Sequence, residues 1–301
     1  MALKQIKNKI TATQKTGKVT KAMEAVSAVK MRKSQERALS GRPFAEAAFR
    51  ILENVSKSLE AKTLHFFKEG AGTHECIIVV TSDKGLAGSL NSAVLKEAEN
   101  IVQKTNKEDV EIIAFGRKAY EHFKNRGYTI PMHHINVSDD VDVEDMKEAT
   151  EFILKQFSDN KYHTVSIVFQ NFISTFEQSP HVHQVLPIDT EQVRKLVKNI
   201  VPKEGKYSEG TFDNINIPYI TEQNPESLYR AIFTSVVEIM LYHALLENKA
   251  CEHSARMVAM KNATDKSKEM VKSLTLVFNK ERQAAITAEV SEITGGIEAM
   301  K

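Results

Sequence analysis

The sequence predicts an α/β chain in which a long helix from each end pairs as an antiparallel coiled coil, with a mostly parallel α/β domain inserted between them. Three observations carry this. Glycine and proline are nearly absent from both ends, and from Glu226 to Thr294 neither occurs. Apolar and small residues recur in both ends at alternating steps of three and four, the spacing of a coiled-coil seam. The middle instead alternates β-branched runs with amphipathic helical stretches, the signature of a parallel sheet with crossover helices.

The N-terminal arm holds only Gly17 in its first forty residues. Its apolar stripe reads Leu3, Ile6, Ile10, then Val19, Met23 and Val26. The C-terminal seam reads Leu246, His253, Met257, Met260, Thr264, Ser267, Val271, Leu274 and Phe278, continued by Ala285 and Ala288. A helix over Glu226–Thr294 would be roughly 100 Å long at the rise of an α-helix. A compact globule of this chain length is only about 50 Å across. Either the helix breaks without glycine or proline, or it protrudes as a stalk, and the stalk is the expectation. Polar interruptions in both stripes point to pairing within one chain.

In the middle, Cys76–Thr81, Val110–Phe115 and Thr164–Phe169 are strong strand candidates; Thr129–Ile135 and His183–Leu186 are weaker ones. Helical patterns lie near Asn91–Gln103, Lys118–Arg126 and Val143–Gln156.

Composition narrows the class. The chain has 301 residues, 42% hydrophobic and 27% charged, with a net charge of +2. That balance excludes a uniformly basic nucleic-acid coat and an acidic disordered chain. Mean hydropathy is −0.33, and no apolar run approaches the length needed to span a bilayer. The opening MALKQIKNKI has no apolar h-region, so no secretory signal is expected. Cys76 and Cys251 stand far apart, which predicts free thiols in a reducing compartment.

The tightest glycine cluster, Ser82-Asp83-Lys84-Gly85-Leu86-Ala87-Gly88-Ser89-Leu90-Asn91, follows a strand and precedes a helix, where phosphate loops sit. It matches neither G-x-x-x-x-G-K-[ST] nor G-x-G-x-x-G, so a tight turn leading into a capped helix is expected. His133-His134 and His181-x-His183 lack a matching carboxylate or cysteine, so partly exposed strand histidines are expected rather than a metal site. No cofactor is expected. The first 37 residues carry ten Lys or Arg against Glu24 and Glu36. This is either a solvated helix face or a surface for an acidic partner; without aromatics it is a poor fit to bases or membranes. The final stretch, Ala284–Lys301, is weakly apolar with small side chains. It reads either as a tip seated inside another protein or as a frayed terminus.

Three blocks give the chain a family resemblance. They are Ile6–Ile10 with Thr20–Glu24 and Lys30–Gln35; the Ser82–Asn91 loop; and Ala255–Thr264 followed by Phe278-Asn279-Lys280-Glu281-Arg282-Gln283, Ile286-Thr287, Glu289, Glu292 and Gly295-Gly296. A shorter match is Tyr219, Glu222 and Pro225. Over essentially its full length the chain resembles the gamma subunits of bacterial F-type rotary ATP synthases. Ile297 departs from a common alanine, Ala87 from a frequent cysteine, and Val137–Glu144 matches no part of the pattern.

The resemblance implies a central shaft that couples ion flow to conformational cycling of the catalytic subunits. It implies a coiled coil from residues 1–60 and 222–301 and a Rossmann-like α/β domain over 74–205. The implied partners are the alpha and beta subunits, epsilon and the membrane c-ring, with no nucleic acid and no membrane insertion. The implied place is peripheral, at the cytoplasmic face of the bacterial inner membrane. No catalytic, cofactor or metal residue is implied. By resemblance, Met23, Arg256, Gln283, Thr287, Glu289 and Glu292 contact the beta subunits, and Ser82, Asp83, Lys84, Gly85 and Gly88 form a docking loop. The other classes that the residues leave open are an enzyme acting at that loop and a coiled-coil scaffold or nucleic-acid binder.

Overall fold

The computed structural model describes residues 3–40, 47–48, 51, 65–68, 70–189 and 225–300. The expected domain limits at 60, 205 and 222 lie outside the described residues. The chain divides into two compact units, one from Val29–Ala255 and one from Met1–Ala28 with Arg256–Lys301.

The larger unit holds a five-stranded sheet in the order β3-β2-β1-β4-β5. Its strands are β1 (His74–Val80), β2 (Val110–Phe115), β3 (Thr129–His134), β4 (Tyr162–Phe172) and β5 (Gln178–Leu186). β1 pairs in parallel with β2 and β4, and β2 with β3; only β5 runs antiparallel, against β4. The crossovers are α2 (Leu90–Val102), α3 (Arg117–Asn125) and α4 (Lys147–Ser158). A 3₁₀ turn, Val143–Met146, starts the predicted Val143–Gln156 helix. Asp142 and Asp145 form a capping box around it.

Every residue of β2 is buried, as in a parallel strand covered on both faces. Ile77, Val79, Ile112 and Ala114 pack on Val94 and Ala98 of α2 and Phe123 of α3. The opposite face, with Cys76, Ile78, Ile113 and Phe115, shares a core with Ile153 and Phe157 of α4. Phe233, Val237, Met240, Leu241 and Leu245 of the last helix join it.

That last helix, α5, runs unbroken from Pro225 to Ala299, 75 residues. At 1.5 Å per residue it is about 110 Å long. The alternative expectation, a helix that breaks without glycine or proline, does not hold. Its burial changes along its course. From Phe233 to Ser254 it is buried on most sides, as a helix inside a core must be; from Lys261 onward only one stripe is shielded.

In the smaller unit, α1 (Leu3–Ser40) and α5 pair antiparallel. Thr13 meets Met270, Gly17 meets Ser267 and Thr20 meets Thr264. On α5 the predicted seam positions Met260, Thr264, Ser267, Val271, Leu274, Phe278 and Ala285 are shielded, with Ala263 beside them. Ala288 is exposed.

On α1 the expected stripe needs correction. Leu3, Ile6 and Ile10 lie on the seam, but Val19 and Val26 point outward, 58% and 55% exposed. The seam continues instead through Thr13, Gly17, Thr20, the expected Met23 and Ser27, still at steps of three and four. Small residues let the two backbones approach, and Thr20 and Thr264 satisfy each other's hydroxyls at 2.7 Å. Hydrophobicity alone picked the wrong side of the helix because the seam here is built from size.

Candidate functional site

The Ser82–Asn91 loop leaves the carboxyl end of β1. Leu86 and Gly88 both take positive φ, 64° and 58°, turning the chain sharply. The turn was expected; the capped helix was not found. Ser89 occupies the cap position of α2 without a side-chain bond to a backbone N–H. The closure comes from Asn91, whose side-chain oxygen accepts from the Ser82 N–H at 2.9 Å and whose amide donates to Ser82 Oγ at 2.8 Å. Ser82 Oγ in turn donates to the Lys84 carbonyl at 2.6 Å. Ala87 and Leu90 face inward and pack with Cys251 of α5. Helix α5 therefore covers the loop at a sheet edge where α/β proteins keep their ligand crevice.

Asp83 is committed internally. Its carboxylate accepts three backbone N–H groups: Arg117 at 2.9 Å, Asn136 at 2.9 Å and Val137 at 3.0 Å. The first opens α3, where a carboxylate meets the positive end of the helix. The turn before α3 requires Gly116: its φ is 91°, and a Cβ there would lie 2.2 Å from the Thr81 carbonyl oxygen. Lys84, Gly85, Leu86 and Gly88 form the outer surface of the loop. The bonded partners of Ser82 are an amide and a carbonyl, and those of Asp83 are backbone N–H groups, so the loop holds no nucleophile activated by a base.

The segment after β3, which carried no assigned role in the sequence, is heavily bonded. Asp139 accepts from Lys30 at 2.6 Å and pairs with His253 at 3.1 Å and Lys249 at 3.6 Å. The His253 hydrogen bond, with Lys30 and the nearby cations, holds the Asp139 carboxyl well below the usual carboxylate range, against the cost of its burial. Arg37 donates to the Asp139 carbonyl at 3.1 Å and pairs with Asp140 at 2.5 Å. Lys249 also donates to the Val137 carbonyl at 2.8 Å.

The six residues expected to touch beta subunits all lie in the smaller unit, on α1 and α5. Met23 is half-buried and Arg256 buried; Gln283, Thr287, Glu289 and Glu292 are exposed. Beyond them, every residue from Ile286 to Met300 is exposed, including Ile286, Val290, Ile293 and Ile297 at 52–64%. Gly295 and Gly296 both face open space.

The histidines are aromatic packing elements. His133 stacks on Tyr120, and His134 on Phe115. His181 and His183 do share one face of β5, with ring centroids 4.5 Å apart. His183 is buried rather than partly exposed, because it stacks on Phe169. Burial, helped by the neighbouring His181, pushes its imidazole down to about 4. Across from this strand, His243 and Glu247 stand one turn apart on α5, 3.5 Å between Nε2 and Oε1. A charged pair would raise the histidine and lower the acid. Burial does the reverse to both, taking His243 down to about 4 and Glu247 up to about 8, so the pair is neutral near pH 7. Among the described residues, no three His, Cys, Asp or Glu come together as a metal site. Cys76 and Cys251 are free and buried. No described helix is long and apolar enough to cross a membrane.

Comparison with known proteins adds a family. The chain matches the ATP synthase family model over residues 2–300. The ATP synthase gamma chain of Cytophaga hutchinsonii is 33% identical over 307 residues, covering 99% of each chain. That of Nitrosospira multiformis is 35% identical over 300 residues, again covering 99% of each. Among solved structures, the fold resembles a chain of the Euglena gracilis mitochondrial ATP synthase. The TM-score is 0.65 at 16% identity, over 99% of this chain and 94% of that one. A chain from the central stalk and c-ring of the Tetrahymena thermophila enzyme gives 0.59 at 22% identity, over 81% and 99%. At those identities the structural likeness is one of fold.

Proposed function

The chain belongs to the ATP synthase gamma-chain family and is the central rotary shaft of that complex, and we propose that it transmits rotation without any chemistry of its own. The observation that supports this most directly is the free end of α5. From Ile286 to Met300 it is exposed throughout and carries four large aliphatic side chains. Such a surface is stable in water only at a cost, and it fits a socket lined by other subunits. The alpha and beta subunits form that socket, while epsilon and the c-ring hold the sheet-bearing unit.

Coupling follows from differential contact. A shaft that touches each catalytic subunit differently at each angle shifts their conformational equilibria in turn; equal contacts at every angle would shift nothing. Met23, Arg256, Gln283, Thr287, Glu289 and Glu292 supply those contacts. The outer surface of the Ser82–Asn91 loop, with Lys84, Gly85 and Gly88, supplies a docking point; Ser82 and Asp83 shape it from within. The lysine-rich outer face of α1 meets acidic groups of the socket. The chain is peripheral to the cytoplasmic face of a bacterial inner membrane and reaches the membrane only through its partners.

The test is co-purification with subunit stoichiometry, followed by ATP-driven ion pumping in vesicles. One copy of this chain per catalytic hexamer, with pumping lost on its removal, is the expected result. Binding of ATP by the isolated chain, or recovery of a chain free of the hexamer, would refute the reading.

A further inference from the structure

The helices α1 and α5 are attached to the sheet by different means in the larger unit. Helix α5 shares the apolar core through Phe233, Val237, Met240, Leu241 and Leu245. It is also bonded to β4 directly, Asn248 accepting from the Gln170 N–H and Glu247 from the Phe172 N–H, both at 3.4 Å. Among the described residues, every ion pair or side-chain hydrogen bond from α1 to the rest of that unit ends on Asp139 or Asp140. Charge-assisted hydrogen bonds fix geometry.

The short segment 136–140 is bonded at both ends. At its start, Asp83 accepts the N–H groups of Asn136 and Val137, and the Arg117 guanidinium donates to Asn136 Oδ1 at 3.0 Å. These tie it to the carboxyl edge of β1 and the start of α3. At its end, Asp139 joins Lys30 of α1 to Lys249 and His253 of α5. Lys249 and His253 are themselves buried, so the node is shielded on its α5 side.

We infer that Asp83 and Asp139 are positioning residues at the two ends of a torque link. Segment 136–140 locks α1 to the sheet and to α5 so that all three turn as one body. This rests on the reading of the chain as a rotary shaft. It adds that load passes between the sheet and α1 through one five-residue bridge, whose integrity sets the coupling and not only the stability.

The experiment uses the assembled complex in membrane vesicles. Asp139→Asn keeps the shape and removes the charge; Asp139→Glu keeps the charge. Lys266→Ala, in an exposed pair with Glu269, is the control. Subunit stoichiometry, ATP hydrolysis and ions pumped per ATP are measured for each. Asp139→Asn is expected to assemble in parental stoichiometry and hydrolyse ATP near the parental rate, while pumping per ATP falls below half. Asp139→Glu should recover most of it, and Lys266→Ala should match the parent. Amide exchange at Asn136 and Val137 should quicken about tenfold or more in Asp83→Asn, the effect of weakening a charge-assisted bond. If Asp139→Asn does not assemble, Lys30→Met, which removes one partly exposed partner, must still lower pumping per ATP. A parental pumping ratio in an assembled Asp139→Asn complex, or in Lys30→Met, overturns the link and leaves the shaft reading intact. Failure of the parental chain to join the hexamer overturns the shaft reading itself.

Discussion

Thr20 and Thr264, 244 residues apart in sequence, share a buried hydroxyl–hydroxyl hydrogen bond of 2.7 Å across the helix pair. Each hydroxyl also has a carbonyl of its own helix in reach, Thr264 that of Met260 at 2.8 Å and Thr20 that of Gly17 at 3.1 Å, so while one donates across the pair the other donates to its carbonyl. Replacing Thr20 with Val strands little, because Thr264 keeps its carbonyl partner, and should cost about 1 kcal/mol. Thr264→Val leaves the Thr20 hydroxyl to the Gly17 carbonyl alone. The double variant should cost less than the sum of the two, since two apolar groups of similar shape can face each other. Urea unfolding of the four proteins measures this; strict additivity would show that the hydroxyls do not interact.

Gly17 marks the closest approach of the helices. A Cβ there would lie 3.3 Å from Ser267 Cβ. Gly17→Ala trades a gain in helix propensity of up to about 1 kcal/mol against that crowding. Gly17→Leu cannot fit without spreading the pair and should destabilise by about 1–3 kcal/mol. Thermal unfolding of the two variants separates them; equal stabilities would mean that the seam is loosely packed here.

Asp83 and Lys84 are sequence neighbours with opposite roles. Asp83→Ala orphans three backbone N–H groups and should destabilise the larger unit by about 3 kcal/mol or more. Lys84→Ala, on the outer surface, should leave stability within about 0.5 kcal/mol. If Lys84 docks on a partner, only assembly strength should fall. Denaturation and co-purification on the same samples check both halves.

The His243–Glu247 pair makes stability depend on pH in two directions. Glu247 titrates at about 8 in the fold, above its ordinary value, so its contribution is full below about 4.5 and is lost as pH rises toward 8. His243 and His183 titrate at about 4, below their ordinary value, so their contribution is present above about 6.5 and is lost as pH falls toward 4. Glu247→Gln should therefore gain on the parent as pH rises from 5 to 8, by about 1 kcal/mol or more. A parallel offset across that range, read by urea titration at each pH, would place the titration elsewhere.

The exposed end of α5 gives a contrast between chain and complex. Ile293→Glu should not alter the stability of the chain alone by more than about 0.5 kcal/mol, since the side chain is already 64% in solvent. In the complex it would bury a charge in an apolar socket and weaken assembly. In the isolated chain, amide exchange should be fast over 280–299 and slow in β1, β2 and the Phe233–Cys251 part of α5. Protection of the free end to the level of β1 would contradict the exposed helix.

The sequence by itself determined the order helix, sheet, helix. β2 lies where its apolar run does, Val110–Phe115, because a strand buried on both faces is apolar at nearly every position; the exception, Glu111, accepts from Lys161 and Tyr162. The C-terminal seam was legible from Met260 to Phe278 because heptad spacing survives polar substitution. On α1 the same rule failed at Val19 and Val26. Local hydrophobicity does not report which side of a helix must be small enough for another backbone to approach, and Gly17, Thr20 and Ser27 acquire meaning only opposite Ser267 and Thr264.

Tertiary structure alone decided the rest. Asp83 is a candidate docking residue by its place in the loop, and only the fold brings its carboxylate to the N–H groups of Asn136 and Val137, more than fifty positions away. Val137–Glu144 matched no motif, yet Asp139 joins Lys30, Lys249 and His253, residues separated by more than two hundred positions. A charge is cheap on a solvated loop and valuable when two lysines and a histidine converge on it, and only the folded chain brings them together.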